Sequence, residues 1–294
     1  MGSLYLVRHG QASFAADNYD VLSPLGRRQS VRLGEYFRYK GLHFDAALSG
    51  TLTRQIQTLE GICEGMGVQF DSPAGGALHE ATGVGASNEA LGRPEQSSAP
   101  SGGSVVREAT SVWAHEGRSA GPPQARPAPP GGSAVREATS VGAHILGPGL
   151  NEYDRAAVIA AIHPYPLEKP DTPELYKHHF RLLKGGLAQW MAGVVSPRGM
   201  PDYDDFVAGV TSALAHVRNH YRGNVLLVSS GGPIATAVGQ VLGTSPETTI
   251  ELNMQLRNSS VTEFAFSAKR HRMVSFNSLA HLDASEHAGW VTYA

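Results

Sequence analysis

One cysteine in 294 residues, Cys63, leaves no intramolecular disulfide to be made, so a reducing compartment fits the chain best. No stretch approaches the ~20 uninterrupted apolar residues of a membrane span. The apolar run Leu4-Tyr5-Leu6-Val7 meets charge at Arg8 and is far too short for a signal peptide. Charge of one sign is lacking too: 24 Lys and Arg stand against 26 Asp and Glu, a net of −2. Nothing there suggests a basic surface for nucleic acid or a charged tail. The chain therefore reads as soluble and cytoplasmic, with neither nucleic acid nor membrane as a partner. Two catalytic patterns are also missing. His178-His179 has no i,i+4 partner or carboxylate of a helical zinc site, so no metal is expected there. Val228-Ser229-Ser230-Gly231-Gly232 lacks the leading glycine of the Gly-x-Ser-x-Gly elbow of serine hydrolases.

Glycine and proline are in excess, 34 and 18, and they crowd between residues 71 and 149. Within that stretch Gly102-Gly103-Ser104-Val105-Val106-Arg107-Glu108-Ala109-Thr110-Ser111-Val112 returns 29 residues later, from Gly131 to Val141. Each copy is too poor in apolar residues to bury a face against its neighbour, which argues against a stacked solenoid. Residues 71–147 are accordingly expected to be a disordered, low-complexity insert, with His115 and His144 sharing its disorder.

Outside the insert the periodicities are orderly. Residues 4–8 read as a buried strand ending in the polar turn Arg8-His9-Gly10-Gln11. Ser23-Pro24 opens a helix that Gly41 stops. A short strand follows at 44–48, then a helix from Thr53 with Ile56, Leu59, Ile62 and Met66 on one face. Strand, helix, strand, helix argues for a layered α/β sheet. Helices are expected over 172–190 and 202–221, and 225–229 is a continuous apolar strand of the kind buried on both faces. It turns through Ser230-Gly231-Gly232-Pro233 into another helix. Ser245-Pro246 opens a further one, and 260–266 and 273–277 read as closing strands.

The chemistry gathers at two points. His9 stands just past the end of the first strand, where open α/β sheets place their ligands. Arg8 offers a planar fork of donors matched to phosphate oxygens, and Gly10 allows close approach of the backbone. In the second, Ser49-Gly50-Thr51-Leu52-Thr53-Arg54-Gln55-Ile56-Gln57-Thr58, Arg54 falls in the first turn of a helix. The macrodipole disfavours a cation there, so an anion to be held gives the arginine a reason for its place.

These strings, with Leu22-Ser23-Pro24-Leu25-Gly26-Arg27-Arg28-Gln29, Val228 through Ile234 and Arg257-Asn258-Ser259-Ser260-Val261-Thr262, resemble the histidine phosphatase (phosphoglycerate mutase-like) superfamily, in that family's order. The resemblance covers about residues 1–70 and 148–294 and makes them one discontinuous domain. It implies a three-layer α/β sandwich with a mostly parallel central sheet flanked by helices. It also implies a metal-independent phosphatase without cofactors, acting on a small phosphomonoester or a phosphoprotein.

His9 would accept the phosphoryl group and pass it to water. Arg8 and Arg54 would clamp its oxygens. Glu152, in Leu150-Asn151-Glu152-Tyr153-Asp154, falls where the family places its general acid. The chain departs from the family at Ser230, which stands where a second histidine is usual; Ser230 and Gly231 would still contact the phosphate. Because serine carries no charge, a phosphate-binding protein with little turnover is the alternative. A phosphoglycerate-type mutase is disfavoured, since 163–190 lacks the arginine-rich substrate segment of those enzymes.

Overall fold

The computed structural model describes residues 1–13, 20–71, 139–168 and 172–293. Seven strands form one sheet: β1 (Gly2–Arg8), β2 (Ala46–Ser49), β3 (Val68–Asp71), β4 (Thr139–Leu146), β5 (Asn224–Ser229), β6 (Val261–Phe266) and β7 (His271–Ser278), in the order β3-β4-β2-β5-β1-β6-β7. The β3–β4, β4–β2, β2–β5 and β5–β1 pairings are parallel; β1–β6 and β6–β7 are antiparallel. The sheet is thus mostly parallel, as the resemblance implied.

The helices form where their caps are written. In α1 (Pro24–Tyr39) the Ser23 side chain accepts from the Gly26 N–H, and Pro24 loses nothing by lacking an N–H in the first turn. α2 (Thr53–Met66) stops at Gly67, whose φ of +72° favours glycine. A short α3 (Arg155–Ala160) is capped by Asp154, and α4 (Pro173–Met191) by Thr172. α5 (Tyr203–His220) carries Asp204 and Asp205 in its first turn and Arg218 and His220 in its last, matching its dipole. α6 (Gly231–Leu242) and α7 (Pro246–Gln255) follow β5.

Alternation along the strands separates two cores. Leu4, Leu6, Leu48, Val225 and Leu227 pack with Leu187, Trp190, Phe206, Val210, Leu214 and Ile234 of α4, α5 and α6. Val7, Ala47, Leu226 and Val228 face Leu33, Phe37, Leu59 and Ile62 of α1 and α2. Both faces of the parallel strands are therefore covered, and Leu59, Ile62 and Met66 of the expected apolar face of α2 meet the sheet.

One boundary needs correction. Residues 139–146, read as part of the insert, are β4, paired between β2 and β3. His144 lies in that strand and bonds through Nε2 to Ser49 Oγ at 2.9 Å. The first residues of β4 coincide with the end of a repeat copy. Strand formation depends on packing against neighbouring strands more than on composition alone. Residues 72–138, including His115, lie outside the described residues.

Helices α1 and α2 touch at backbone distance. A β-carbon on Gly34 would fall 2.1 Å from the Ile62 carbonyl oxygen, and one on Gly65 2.0 Å from that of Val31. Gly34→Ala should therefore destabilise the protein by about 2 kcal/mol or more, because both backbones must move apart. Gly185→Ala, in α4 with its nearest neighbour at 3.5 Å, should instead stabilise by about 0.5–1 kcal/mol. Urea unfolding of the two variants checks this. Equal effects would show that the glycines do not set the helix spacing.

Candidate active site

The C-terminal ends of β1, β2 and β5 meet at His9. Its backbone is held on both sides: His9 N donates to Ser229 O at 2.9 Å, while Ser259 N and Asn258 Nδ2 each donate to His9 O at 3.3 Å. Ser259 reaches this position with φ of +57°, uncommon for a residue other than glycine. The histidine is 2% exposed, and its Nδ1 lies 2.7 Å from the Gly10 carbonyl oxygen. A carbonyl can only accept, so Nδ1 carries the proton and Nε2 of the neutral ring keeps its lone pair.

Burial first, then the positive charges of Arg8 and Arg54, and more weakly Arg155, hold the His9 imidazolium pKa well below the ordinary histidine value. The ring is thus neutral at physiological pH, with a lone pair on Nε2. Arg8 is itself buried and donates through Nη1 to the Leu256 carbonyl at the end of α7.

Arg54 lies in the first turn of α2, as expected, and an anion does meet it there. That anion is a carboxylate of the chain itself: Asp20 takes Arg54 Nη1 on Oδ1 and Thr53 N on Oδ2, both at 2.8 Å. Asp20 thereby fixes the orientation of the guanidinium and holds an N–H at the start of the helix. Three further side chains of the same motif tie α2 to the site. Thr58 Oγ1 accepts from Gly10 N at 3.0 Å, Gln57 Oε1 from Leu22 N at 2.8 Å, and Gln55 Nε2 donates to Ser230 Oγ at 2.9 Å.

Glu152 arrives from the loop before α3. Its Oε1 accepts from Gly232 N, in the first turn of α6, at 3.0 Å. Only glycine permits this approach, because a β-carbon at position 232 would lie 2.3 Å from that oxygen. Tyr153 packs against the same glycine, and its hydroxyl accepts from Asn253 Nδ2 at 2.8 Å.

His9, Arg54 and Glu152 share the wall of one pocket of about 320 Å³ with Leu52, Tyr153 and Asp154 to Ala156. Of the other residues expected at the site, Arg8 and Gly231 lie close behind this wall: a β-carbon on Gly231 would be 3.7 Å from Glu152 Oε2 and 3.8 Å from Arg8 Cζ. Ser230 is fully buried beside them and is held by Gln55. Asp20, Gln55, Asn258 and Arg155 were not singled out by sequence reasoning. Gln55 and Asn258 stand inside recognised strings; Asp20 and Arg155 carried no signal, because their partners are distant in sequence or supplied by the fold.

Among the described residues, no cluster of three or more His, Cys, Asp or Glu is arranged to hold a metal ion, and no helix is long and apolar enough to cross a membrane.

The electrostatics can be read directly. A nearby cation disfavours the imidazolium, so removing one must raise the pKa of His9. In the free protein the His9 ring should stay neutral as the pH falls well below 6.5, and Arg54→Gln should shift its titration upward. NMR of the ring nitrogens checks both; an ordinary histidine titration, unmoved by the substitution, would contradict the burial and the charges described.

A model of the histidine phosphatase superfamily (branch 1) matches residues 4–75 and 171–279, more than half of the chain. Over 61 residues the chain is 34% identical to a broad-specificity phosphatase of Saccharomyces cerevisiae. That stretch is 19% of this chain and 26% of the relative, so only about a quarter of the yeast protein's length is spanned. Two solved structures share the fold. Bacillus stearothermophilus YhfR is 14% identical with a TM-score of 0.52, covering 96% of this chain and 99% of that one. The mycobacterial glucosyl-3-phosphoglycerate phosphatase is 17% identical with a TM-score of 0.51, covering 95% and 100%. The matched segments carry β1 with His9, α2 with Arg54 and β5 with its turn into α6, and the chain belongs to branch 1 of the histidine phosphatase superfamily.

Proposed function

We propose that the protein is a phosphomonoester phosphatase that works through a phosphohistidine at His9. The observation that carries this reading is a buried, neutral imidazole whose Nδ1 proton is spent on Gly10 O, in the same pocket as Arg54 and Glu152. The phosphatase activity named for the yeast relative and for the mycobacterial neighbour agrees with it.

In the first step Nε2 of His9 attacks phosphorus in line. A P–N bond forms, the P–O ester bond breaks, and the departing oxygen takes a proton from Glu152. In the second, water attacks the phosphohistidine, the P–N bond breaks, the ring recovers its lone pair, and Glu152 takes back the proton. Arg8 and Arg54, each fixed by its own acceptor, stabilise the charge that spreads over the equatorial oxygens. Binding through Ser230 and Gly231 would complete the cradle. On this reading residues 1–71 and 139–293 form the catalytic domain, and the reaction needs no metal ion.

One observation favours a second reading, that of a phosphate-binding protein with slow turnover. Ser230 brings no charge, and its oxygen already accepts from Gln55. Time-resolved labelling separates the two. With a radiolabelled phosphomonoester and chelator present, steady phosphate release that is abolished by His9→Ala marks the phosphatase. A stoichiometric burst of labelled protein that persists marks the second reading; no labelling and no release would contradict both.

The acid has its own signature. Glu152→Gln should lower kcat on alkyl phosphates by about 10²-fold or more. It should act far less on p-nitrophenyl phosphate, whose leaving group needs little protonation. Equal losses on both substrates would remove Glu152 from the acid role.

A further inference from the structure

Resting on that phosphatase reading, we infer that residues 280–293 brace the nucleophile, with Thr292 and His281 as positioning residues that act on His9 through Asn258 and Ser259.

The His9 carbonyl oxygen has two lone pairs, and both are taken: Asn258 Nδ2 and Ser259 N each donate to it at 3.3 Å. Each of these donors is held in turn by a side chain from the segment after β7. Asn258 Oδ1 accepts from Thr292 Oγ1 at 3.0 Å, and Asn258 N donates to Thr292 O at 3.0 Å. A carbonyl oxygen can only accept, so with Oδ1 on the Thr292 hydroxyl the Nδ2 end of the amide is turned to His9. Ser259 Oγ is bonded to His281 Nε2 at 2.9 Å. The left-handed backbone of Ser259, with φ of +57°, persists only where its surroundings hold it, and this bond is part of that hold.

Thr292 also closes a circuit around the turn after β1. Its Oγ1 accepts from Gln29 Nε2 at 3.0 Å, and Gln29 Oε1 accepts from Gln11 N at 2.8 Å. The bonds therefore run from Gln11 through Gln29, Thr292 and Asn258 back to His9. Gly10 lies inside that circuit, and its carbonyl is the acceptor for His9 Nδ1.

The segment is anchored on α1. Gln29 Nε2 also donates to Trp290 O at 2.6 Å, the Arg28 guanidinium stands 5.4 Å from the centre of the Trp290 ring, and His281 lies against Tyr36. His281 is 1% exposed; burial first, then the charges of Arg32 and His287, pushes its pKa down to about 3, so it bonds Ser259 as a neutral ring. Gln29, Asn258 and Ser259 are fully buried, and water is poorly placed to replace a bond lost among them. Packing for stability alone does not require polar contacts to converge on one peptide unit, that joining His9 to Gly10. Both positioning residues lie beyond residue 279, where the match to the family ends.

The test combines kinetics with NMR of the His9 ring nitrogens. Thr292→Val keeps the shape of the side chain and removes its hydroxyl. It should lower kcat on p-nitrophenyl phosphate by about 10-fold with KM within about 2-fold, because the nucleophile is misplaced while the arginines still bind phosphate. Thr292→Ser should recover most of the loss. His281→Phe keeps a ring beside Tyr36, breaks the bond to Ser259, and should act in the same direction as Thr292→Val. In the free protein both variants should turn the single Nδ1–H tautomer of His9 into a mixture of the two neutral tautomers. Val217→Ala, a core change on α5, costs stability without touching the brace and should leave kcat and tautomer as in the wild type. An unchanged kcat and a single tautomer in Thr292→Val and His281→Phe, or equal changes in Val217→Ala, would overturn the brace and leave the phosphatase reading standing. Absence of phosphate release by the wild type would instead remove the phosphatase reading, and the tautomer comparison would still decide whether the segment holds the ring.

Discussion

The contact between His9 Nδ1 and the Gly10 carbonyl oxygen is the constraint on which the site depends. Imidazole has two nitrogens, and only an unprotonated one can form a bond to phosphorus. By placing the proton on Nδ1, a carbonyl one residue away leaves Nε2 as the nitrogen with a lone pair. The contact survives only if the turn after β1 is rigid, and several elements hold it. Gly10 N is tied to Thr58 of α2. A β-carbon on Gly10 would lie 2.5 Å from Gly26 O, so α1 packs directly against the turn. The far side is closed by Asn258 and Ser259. The close helix pair, the motif before β6 and the central strands thus converge on one ring orientation.

The second constraint is electrostatic. Three guanidiniums in and behind one pocket would be costly unless each were directed and partly compensated. Asp20 answers Arg54, the Leu256 carbonyl answers Arg8, and Glu152 stands opposite on the turn into α6. Burial and the positive charges of Arg8, Arg54 and Arg155 keep His9 neutral. Position 230 carries no charge. There a buried serine, held by Gln55, serves to join α2 to the start of α6.

Much of this was legible in the sequence, and the reasons are specific. His9, Arg8 and Arg54 stand beside strand and helix boundaries that apolar periodicity and the Ser23-Pro24 cap mark clearly. The two-sided burial of β5 follows from its unbroken apolar run. What escaped depends on partners that only the fold supplies. β4 lies at the edge of glycine-rich repeats and is a strand because β2 and β3 flank it. Asp20 lies 34 residues before Arg54, with nothing local to mark the pair. Arg155 is an ordinary helix-start arginine until α3 is placed against the pocket. Gln55 and Asn258 were visible as members of motifs, but their work is to bind other loops, and spacing does not reveal that.

The most direct measurement is the identity of the nitrogen that carries the phosphoryl group. The protein would be quenched in alkali during turnover of a phosphomonoester, and the labelled peptide analysed by phosphorus NMR and mass spectrometry. Phosphate on Nε2 of His9 is the expected result, since Nδ1 is committed to Gly10 O. Phosphate on Nδ1, or on a residue other than His9, would contradict the role given to that contact.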